Sequence, residues 1–378
     1  MAASRKRLLL IVNDAGFFLS HRLPVALAAR AAGFDVHVAT GRSAATAEIA
    51  AQGLHYHGLR LSRGGTNPLR ELISFLDILR LLRRLRPEVL HLVTVKPVLY
   101  GGIAARITQA RAVVMAISGL GHVFAVDSPR TRGVRRLVLA AYRLALGREG
   151  LKVIFQNGAD RDVLVKCAGL AAEKAVMIRG SGVDLSAFRS MPEPTGTPVV
   201  IFASRLLKSK GVEEFVEAAR LLRQRGVAAR FQLAGEIDPD NAGSATPAEL
   251  EFWRSSGVVE ILGYRQDVAN VFAASNLVAL PSYYGEGLPK VLAEAAACGR
   301  AVVTTDMPGC RDAVEPNVTG LLVPPRDAVA LADAIQQLLE DPERRRRMGT
   351  AARSFAEREF GLERIVDEHL AIYRTLTQ

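Results

Sequence analysis

Apolar runs of strand length alternate with helix-length segments along the whole chain, and no other feature constrains the fold as much. A strand-helix-strand order implies right-handed crossovers and a parallel sheet. The sequence therefore predicts an α/β chain with a parallel sheet in each half. In the first half, strands are predicted near Leu8–Val12, Val36–Ala39, Val89–Thr94, Ala112–Ile117 and Lys152–Phe155. In the second half, they are predicted near Val199–Ala203, Phe231–Ala234, Val258–Ile261, Leu277–Leu280 and Ala301–Thr305.

The length of the chain, 378 residues, suits two domains of ordinary size. The strand-helix pattern is interrupted at Met191–Pro198, which holds three prolines and a glycine. We therefore expect one domain over residues 1–190 and another from residue 191. No apolar run reaches the ~18 residues that a membrane span needs.

Positive charge is concentrated in the first half of the chain. Residues 1–190 hold 28 basic and 12 acidic side chains, whereas residues 191–378 hold 21 and 26. Within Leu69–Arg86, apolar residues recur at helical spacing beside several arginines, which is typical of a basic amphipathic helix on an anionic membrane. The alternative, an outer helix packed on the sheet with a solvated arginine face, stays open. Nucleic acid is not expected as a partner, because the charge lacks aromatic clusters and zinc spacing.

Several enzyme classes lack their usual motifs here. The sequence contains no G-x-G-x-x-G, P-loop, H-E-x-x-H or G-x-S-x-G. Asp238-Pro239-Asp240 spells D-x-D, but it lies in a loop rich in glycine and asparagine and is interpreted as a turn. We therefore expect no metal and no other cofactor.

Two loops of the second half carry charges at predicted strand ends. Arg205 and Lys210 follow the first strand there and precede a helix, where side-chain charge and helix dipole both favour an anion. Glu286 and Gly287 precede another helix, and Glu294 follows eight residues after Glu286. At ~1.5 Å per residue the two carboxylates span roughly 10–12 Å, about the separation of a sugar and a ribose joined by a diphosphate.

These motifs resemble the donor half of glycosyltransferase family 4, whose members are retaining enzymes with the GT-B fold, two Rossmann-like lobes and an interlobe cleft. The resemblance implies that Arg205 and Lys210 neutralise the donor diphosphate and that Glu286 contacts the transferred sugar. It further implies that Glu294 binds the ribose. It adds to the donor-binding residues the backbone of Gly287 and Leu288, with Gly235, Gly263, Tyr264 and Arg265.

In the first half the resemblance implies an acceptor site. Asp14 and Gly16 occupy the place of a flexible closing loop, and Lys96 is a candidate for an acceptor phosphate. Ser118 stands where many relatives have a histidine; His122 follows and is a candidate catalytic residue, or simply a loop residue. The remaining histidines of the region, His37, His55 and His57, alternate with apolar strand positions and are expected to pack.

The sequence therefore predicts a retaining, metal-independent glycosyltransferase, with acceptor binding in residues 1–190 and donor binding in 191–356. In relatives the last segment, here 357–378, crosses back to the first lobe. The expected substrates are a nucleotide diphosphate sugar, with UDP favoured, and a polyprenyl-diphosphate-linked or other membrane glycan. We expect a cytoplasmic protein, peripheral on the anionic inner face of the membrane. A same-fold sugar-nucleotide epimerase and a non-catalytic lipid-binding relative stay open as alternatives.

Overall fold

The computed structural model describes residues 5–61, 67–121, 124, 129–239 and 241–378. The chain divides into two compact units: Met1–Gly182 with Leu362–Gln378, and Val183–Gly361. The sequence placed the boundaries eight residues later, at 190, and five residues earlier, at 356. The last segment groups with the first unit.

The proline-rich segment 191–198 lies inside the second unit rather than between the units. Its Glu193 forms an almost fully buried ion pair with Arg345 at 2.7 Å. Asn276 ties down the rest of the segment, donating to the carbonyl of Pro194 at 3.0 Å. Prolines interrupt regular secondary structure here without marking a domain boundary.

The first unit contains a seven-stranded parallel sheet of order β3-β2-β1-β4-β5-β6-β7. Its strands are β1 (Arg7–Val12), β2 (Asp35–Gly41), β3 (His55–Leu59), β4 (Val89–Val93), β5 (Ala112–Ile117), β6 (Leu151–Phe155) and β7 (Ala175–Met177). Its helices, as far as residue 182, are α1 (Ala15–His21), α2 (Leu23–Ala31), α3 (Thr46–Ala51), α4 (Pro68–Leu85), α5 (Val95–Ile107), α6 (Pro129–Leu146) and α7 (Gly158–Ala168).

The second unit contains a six-stranded parallel sheet of order β10-β9-β8-β11-β12-β13. Its strands are β8 (Val199–Ala203), β9 (Arg230–Ala234), β10 (Glu260–Gly263), β11 (Leu277–Leu280), β12 (Ala301–Thr305) and β13 (Gly320–Val323). Its helices are α8 (Val212–Gln224), α9 (Pro247–Ser256), α10 (Val268–Ala273), α11 (Lys290–Ala297), α12 (Ala328–Glu340) and α13 (Pro342–Glu359). The last helix, α14 (Leu362–Leu376), belongs to the first unit.

The core of the first unit lies on both faces of its sheet. Because successive side chains on a strand point to opposite faces, Leu8 and Leu10 of β1 pack toward α2 and α14. Leu9 and Ile11 pack instead with residues of α4, α5 and α6. The two faces are thus covered by different helices, and the C-terminal helix is part of this core.

The core of the second unit is built in the same way around β8, β11 and β12, all of whose residues are buried. Within the part of the chain that the structure describes, no helix combines the length and apolar character needed to cross a bilayer.

Candidate functional site

The carboxyl ends of β8 and β11 are neighbours in the second sheet, so the loops that follow them meet. The first loop contains residues 204–211 and the second contains residues 281–289. The backbone N–H of Tyr283 donates to the carbonyl of Ser209 at 3.1 Å. The Ser282 hydroxyl oxygen lies 3.2 Å from the same carbonyl oxygen. The two predicted donor loops therefore form one surface.

An ion pair between Lys210 and Glu286 joins these loops. Both side chains are largely buried, 16% and 15% exposed. The Ser282 hydroxyl donates to the other carboxylate oxygen at 2.6 Å. Removing two charges from water is costly, so a buried pair at a strand edge is a candidate for function rather than for stability. The sequence predicted both charged residues but missed Ser282.

Two glycines allow the backbone to pack this tightly. Gly211 has φ +79°, and a Cβ there would lie 2.2 Å from the carbonyl oxygen of Pro281. Gly235 has φ +154°, and a Cβ there would lie 1.8 Å from the carbonyl oxygen of Ser204. A side chain at Gly211 would push apart the loops after β8 and β11, and a side chain at Gly235 would push apart the loops after β8 and β9.

Arg205 does not pair with the same carboxylate as Lys210. Its guanidinium donates to Asp238 at 2.6 Å, and half of the arginine side chain stays exposed. Asp238 is also part of a turn, since its carbonyl accepts from the N–H of Asn241 at 2.9 Å. The structure thus gives Asp238 the role of an arginine partner that the sequence had not assigned; Asp240 lies outside the described residues.

Helix α11 begins at Lys290, two residues later than predicted, because Pro289 keeps an extended backbone (ψ 117°) at the N-cap. Gly287 and Leu288 lie buried in the turn before the helix. Glu294 is only 9% exposed. Burial raises the pKa of its carboxyl group, and Lys290, 3.3 Å away, acts in the opposite direction. A largely buried carboxylate with Lys290 beside it is suited to accept hydrogen bonds from a ligand's hydroxyl groups.

Four further residues predicted to bind the donor, Gly235, Gly263, Tyr264 and Arg265, lie at the ends of β9 and β10. The Gly235 N–H donates to the Gly263 carbonyl at 2.8 Å and joins the two strand ends. Tyr264 is well exposed, whereas Arg265 is engaged with Asp267 at 2.6–2.7 Å. These residues border the loop of Arg205, because β9 lies next to β8.

Residue Cys310, which sequence reasoning missed, lies beneath this surface. Burial, together with the charge of Glu286, raises the pKa of its thiol to about 12. Its neighbour Gly309 lies against the backbone carbonyls of Glu286 and Gly287. No sequence signal marked this segment, since its contribution is contact with a loop distant in the chain.

In the first unit the expected closing loop is a helix. Asp14 is the N-cap of α1 and accepts from the N–H of Phe17 at 2.9 Å, so Gly16 lies in the first helical turn. The segment that the resemblance implied to be a closing loop is thus helical from Ala15. The capping aspartate was visible in the sequence, and such a residue before an apolar stretch is typical of a helix start.

Three neighbouring strands of the first unit are followed by buried polar side-chain atoms that have no partner among the described residues. The side-chain oxygens of Asn13, Thr94 and Ser118, after β1, β4 and β5, are buried without hydrogen bonds among the described residues. Thr94 also has φ +72°, which is strained for a β-branched residue. Unpaired buried polar atoms and backbone strain at one sheet edge are typical of a binding surface.

Lys96 lies at the same edge, in the first turn of α5. Its ammonium contacts Glu71 of α4 at 2.7 Å, and the Tyr100 hydroxyl donates to the same carboxylate at 2.7 Å. Burial and this carboxylate raise the pKa of Tyr100. Lys96 is thus held in place beside the unpaired polar atoms, while His122 lies outside the described residues.

Comparisons with known proteins cover most of the chain. The family model "Glycosyl transferase 4-like" matches residues 7–157, and "Glycosyl transferases group 1" matches residues 185–355. The N,N'-diacetylbacillosaminyl-diphospho-undecaprenol alpha-1,3-N-acetylgalactosaminyltransferase of Campylobacter jejuni is 28% identical over 344 residues, which are 87% of this chain and 89% of that protein.

Solved structures match in fold. A glycosyltransferase from Rickettsia africae superimposes with a TM-score of 0.79 at 18% identity, covering the whole of both chains. HepE from Anabaena, in complex with UDP, superimposes with a TM-score of 0.78 at 22% identity, covering 98% of this chain and 100% of that one.

Proposed function

This chain is a glycosyltransferase of the family 4 type with the GT-B fold, and we propose that it transfers a sugar from a nucleotide diphosphate sugar to a lipid-linked glycan. The observation that carries the proposal is the buried contact of Lys210, Glu286 and Ser282 at the carboxyl edge of the second sheet. Donor binding belongs to this unit and acceptor binding to the first.

The donor site matches the charge of a nucleotide diphosphate. Lys210 and Arg205 supply positive charge to the diphosphate, and the turn before α11 supplies a helix N-terminus. Glu294 receives the ribose hydroxyls. A UDP-linked N-acetylhexosamine is the donor we favour, since the Campylobacter relative is named for N-acetylgalactosamine transfer and the Anabaena structure holds UDP.

The reaction retains the configuration of the transferred sugar and needs no metal. As the glycosidic bond to the diphosphate breaks, negative charge grows on the departing phosphate beside Lys210 and Arg205, where fixed positive charge stabilises it. Glu286 lies beside the sugar, where its carboxylate stabilises the developing oxocarbenium charge. The departing phosphate accepts the proton of the acceptor hydroxyl as the new bond forms on the same face.

Donor binding is tested by thermal shift with UDP, GDP, ADP and TDP, each with and without EDTA. A ligand at ~100 times its dissociation constant adds about 2.7 kcal/mol of stability, a shift of several degrees. We expect one nucleotide, UDP, to raise the melting temperature equally in both buffers. A shift that EDTA abolishes would contradict metal independence, and no shift with any nucleotide would contradict the donor site.

Lys210→Met tests the central contact, with Lys208→Met as its matched control. Lys208 carries the same charge in the same loop but pairs with Glu213 and Glu249, each at 2.9 Å. Loss of a charge-assisted contact worth ~1.5–3 kcal/mol should weaken UDP binding roughly 10- to 100-fold in Lys210→Met only. Equal losses in both variants would mean that the loop's general charge, not this site, binds the nucleotide.

Glu286→Gln separates the enzyme from its alternatives. We expect transfer to fall ~10²- to 10³-fold with UDP affinity retained, because the carboxylate acts on the transition state. Conversion of UDP-GlcNAc without any acceptor would instead identify an epimerase. A wild-type protein that binds UDP and lipid but turns over neither substrate would be a non-catalytic relative. The anomeric configuration of the product, measured by NMR, tests retention.

We propose a polyprenyl-diphosphate-linked glycan as acceptor, held by the first unit. Support comes from Lys96 at the start of α5, from the unpaired oxygens beside it and from the diphospho-undecaprenol substrate named for the Campylobacter relative. Lys96→Met should raise KM for the lipid-linked acceptor ~10-fold and leave UDP affinity unchanged. Lys152→Met, at the start of β6 in the same unit, is the control for net charge. An unchanged KM in Lys96→Met would remove this residue from the acceptor site.

The acceptor implies work at an anionic membrane, and we propose that α4 and α6 contact it. Crossover helices of a parallel sheet run back from the carboxyl edge, so the first halves of α4 and α6 lie at that edge. There Leu69 and Leu137 are 72% and 73% exposed, with Leu72 beside the former. The second half of α4 packs on the core through Ile78, Leu81 and Leu82. Both sequence interpretations of this helix thus have support, each for one half of it.

Sedimentation with liposomes tests this contact. Binding should require anionic lipid, weaken with salt and be lost in Leu72→Glu/Leu137→Glu. Phe252→Glu in the second unit, where the phenylalanine is 70% exposed, is the matched control. Failure to bind anionic vesicles at low salt would refute the membrane proposal and would leave the proposal for the donor site unchanged.

A further inference from the structure

Three of the seven histidines of the chain meet an aspartate at one corner of the first sheet. Strands β2 and β3 pair in parallel with His37 opposite His55 and Ala39 opposite His57. Residues two apart on a strand share a face, so Asp35, His37, His55 and His57 project from the same face. The sequence predicted only that these histidines pack; the cross-strand register brings them together.

The cluster has the contacts of a preformed ligand set. The two oxygens of Asp35 lie 3.0 Å from His37 Nε2 and 3.1 Å from His55 Nε2. One ligand atom from each of these three residues lies within 4.8 Å of the others. On the other side of its ring, His37 Nδ1 lies 3.0 Å from His57 Nε2.

Two imidazole nitrogens and a carboxylate oxygen are ligands that Zn²⁺ accepts, with a fourth position left for water. Ligand atoms lie about 2.0–2.2 Å from a tetrahedral Zn²⁺ and therefore roughly 3.3–3.5 Å from one another. The contacts at 3.0 and 3.1 Å need little change, and only wider separations, which do not exceed 4.8 Å, must close. The His55 side chain, 65% exposed, has the freedom to close them. When Nε2 of His37 binds the metal, the proton of that ring is on Nδ1 and is donated to His57 Nε2, 3.0 Å away. His57 then fixes the orientation of His37, as partners of metal-bound histidines do.

The cluster lies at the opposite edge of the sheet from the proposed acceptor site. Asp35 and His55 begin their strands, so the cluster lies at the amino edge, opposite the edge formed by Asn13, Thr94 and Ser118. Arg84 of α4 approaches His57 Nδ1 at 3.4 Å, on the far side of that ring from His37. Strand β3 is the edge of the sheet and makes its sheet contacts with β2 alone.

We propose that Asp35, His37 and His55 bind a divalent transition-metal ion of the Zn²⁺ class, with His57 positioning His37. The ion joins edge strand β3 to β2 and stabilises the first unit. The ion takes no part in sugar transfer, so the test of the metal site is independent of the test of the donor site.

The test uses the full chain without a histidine tag, stripped with EDTA and titrated with Co²⁺ as a spectroscopic probe. Binding of one Co²⁺ should give the visible absorption of a tetrahedral site, and Zn²⁺ should displace it. Zn²⁺ at a hundredfold excess over its dissociation constant should raise the melting temperature of the first unit by roughly 5–10 °C. The second unit, which contains no histidine, should not shift.

Variants identify the ligands. Asp35→Asn and His55→Gln should each abolish the Co²⁺ absorption, whereas His21→Gln, which removes a histidine outside the cluster, should retain it. His57→Gln should keep one ion per chain but bind it ~10- to 100-fold more weakly. Circular dichroism of the metal-free variants shows whether they fold. Absence of tetrahedral Co²⁺ absorption in the wild type, or its survival in folded Asp35→Asn and His55→Gln, would overturn the proposal.

Discussion

Acidification from pH 7 to pH 5 should destabilise the first unit through two buried histidines. His91 of β4 and His369 of α14 are both fully buried. His91 Nδ1 lies 2.6 Å from the hydroxyl of Tyr373, and His369 Nδ1 donates to the carbonyl of Ile365 at 2.7 Å. The Nε2 atom of each ring has no partner in the described part of the chain, so neither site provides for a second proton.

The sign of the effect follows from their pKa values. Burial, with the nearby charge of Arg22, lowers the pKa of His369 to about 3, and burial with the same arginine and His369 lowers that of His91. In the unfolded chain both rings titrate near 6.5. Above that pH both states are neutral and stability is complete. As the pH falls below it, only the unfolded state gains protons, and stability is lost.

Each such histidine costs ~1.4 kcal/mol per pH unit below 6.5, which amounts to about 2 kcal/mol between pH 7 and pH 5. The pair therefore costs about 4 kcal/mol, a large part of the ~5–15 kcal/mol that stabilises a domain. Half-buried His57 of β3, whose pKa burial lowers to about 4, adds a smaller loss of the same sign. Carboxylates with lowered pKa values, such as Asp77 and Asp162, lose their contribution only below about pH 4, outside this window.

Hydrogen exchange measured by mass spectrometry at several urea concentrations, in EDTA, reports both units in one sample. The opening free energy of β4 and α14 should fall by at least about 4 kcal/mol between pH 7 and pH 5, and His369→Gln should remove about 2 kcal/mol of that fall. Peptides of the second unit, which contains no histidine, serve as the internal control. A first unit whose stability is flat over this range, or a His369→Gln variant with the wild-type slope, would refute the reasoning.

Three further predictions concern stability and thiol chemistry. Gly235→Ala should destabilise the second unit by more than ~2 kcal/mol in urea unfolding, because the added Cβ would lie 1.8 Å from the Ser204 carbonyl oxygen. In the control variant Gly196→Ala the added Cβ meets open space, and the loss of stability should be only about 1 kcal/mol. Arg345→Met should lower the free energy of unfolding by roughly 3–5 kcal/mol, because it leaves the Glu193 carboxylate buried without its cation. Adding Glu193→Leu should recover most of this stability, and an equal loss in the double variant would contradict the prediction. In the folded protein a thiol reagent should modify Cys167, which is exposed, and should not modify the buried Cys298 and Cys310. Burial raises the pKa of these two thiols to about 11 and 12, so neither forms a reactive thiolate near pH 7. Rapid labelling of all three cysteines would show that the second unit opens.

Local patterns were enough to predict most of the fold. A helix was predicted near Pro68–Leu85, and α4 has those bounds, because apolar residues recur there at helical spacing and Asn67 and Pro68 mark its start. The strands of the two sheet centres were predicted within a residue or two, since buried parallel strands are continuous apolar runs. Edge strands β7 and β13 were missed because they are only three and four residues long. Edge strand β3 was indicated only by the alternation of its histidines with apolar residues.

The candidate donor site was predicted in its charged residues but not in its contacts. Lys210 and Glu286 are 76 positions apart, and only the adjacency of β8 and β11 brings them together. Ser282, Asp238 and Gly309 gain their importance from such contacts, which leave no local signal. The histidine cluster was missed for a related reason: the register of two strands decides which side chains meet, and a one-residue shift would separate them.

The position of α14 affects the order in which the chain can fold during synthesis. The first unit needs Ile365, Leu370 and Tyr373 to complete one face of its core, and these residues are made after the whole of the second unit. Residues 183–361 are contiguous, so the second unit can fold on the ribosome while the first still exposes an apolar face between α2 and the strands. Of the two units, the one whose translation begins first is therefore the one that completes its core last.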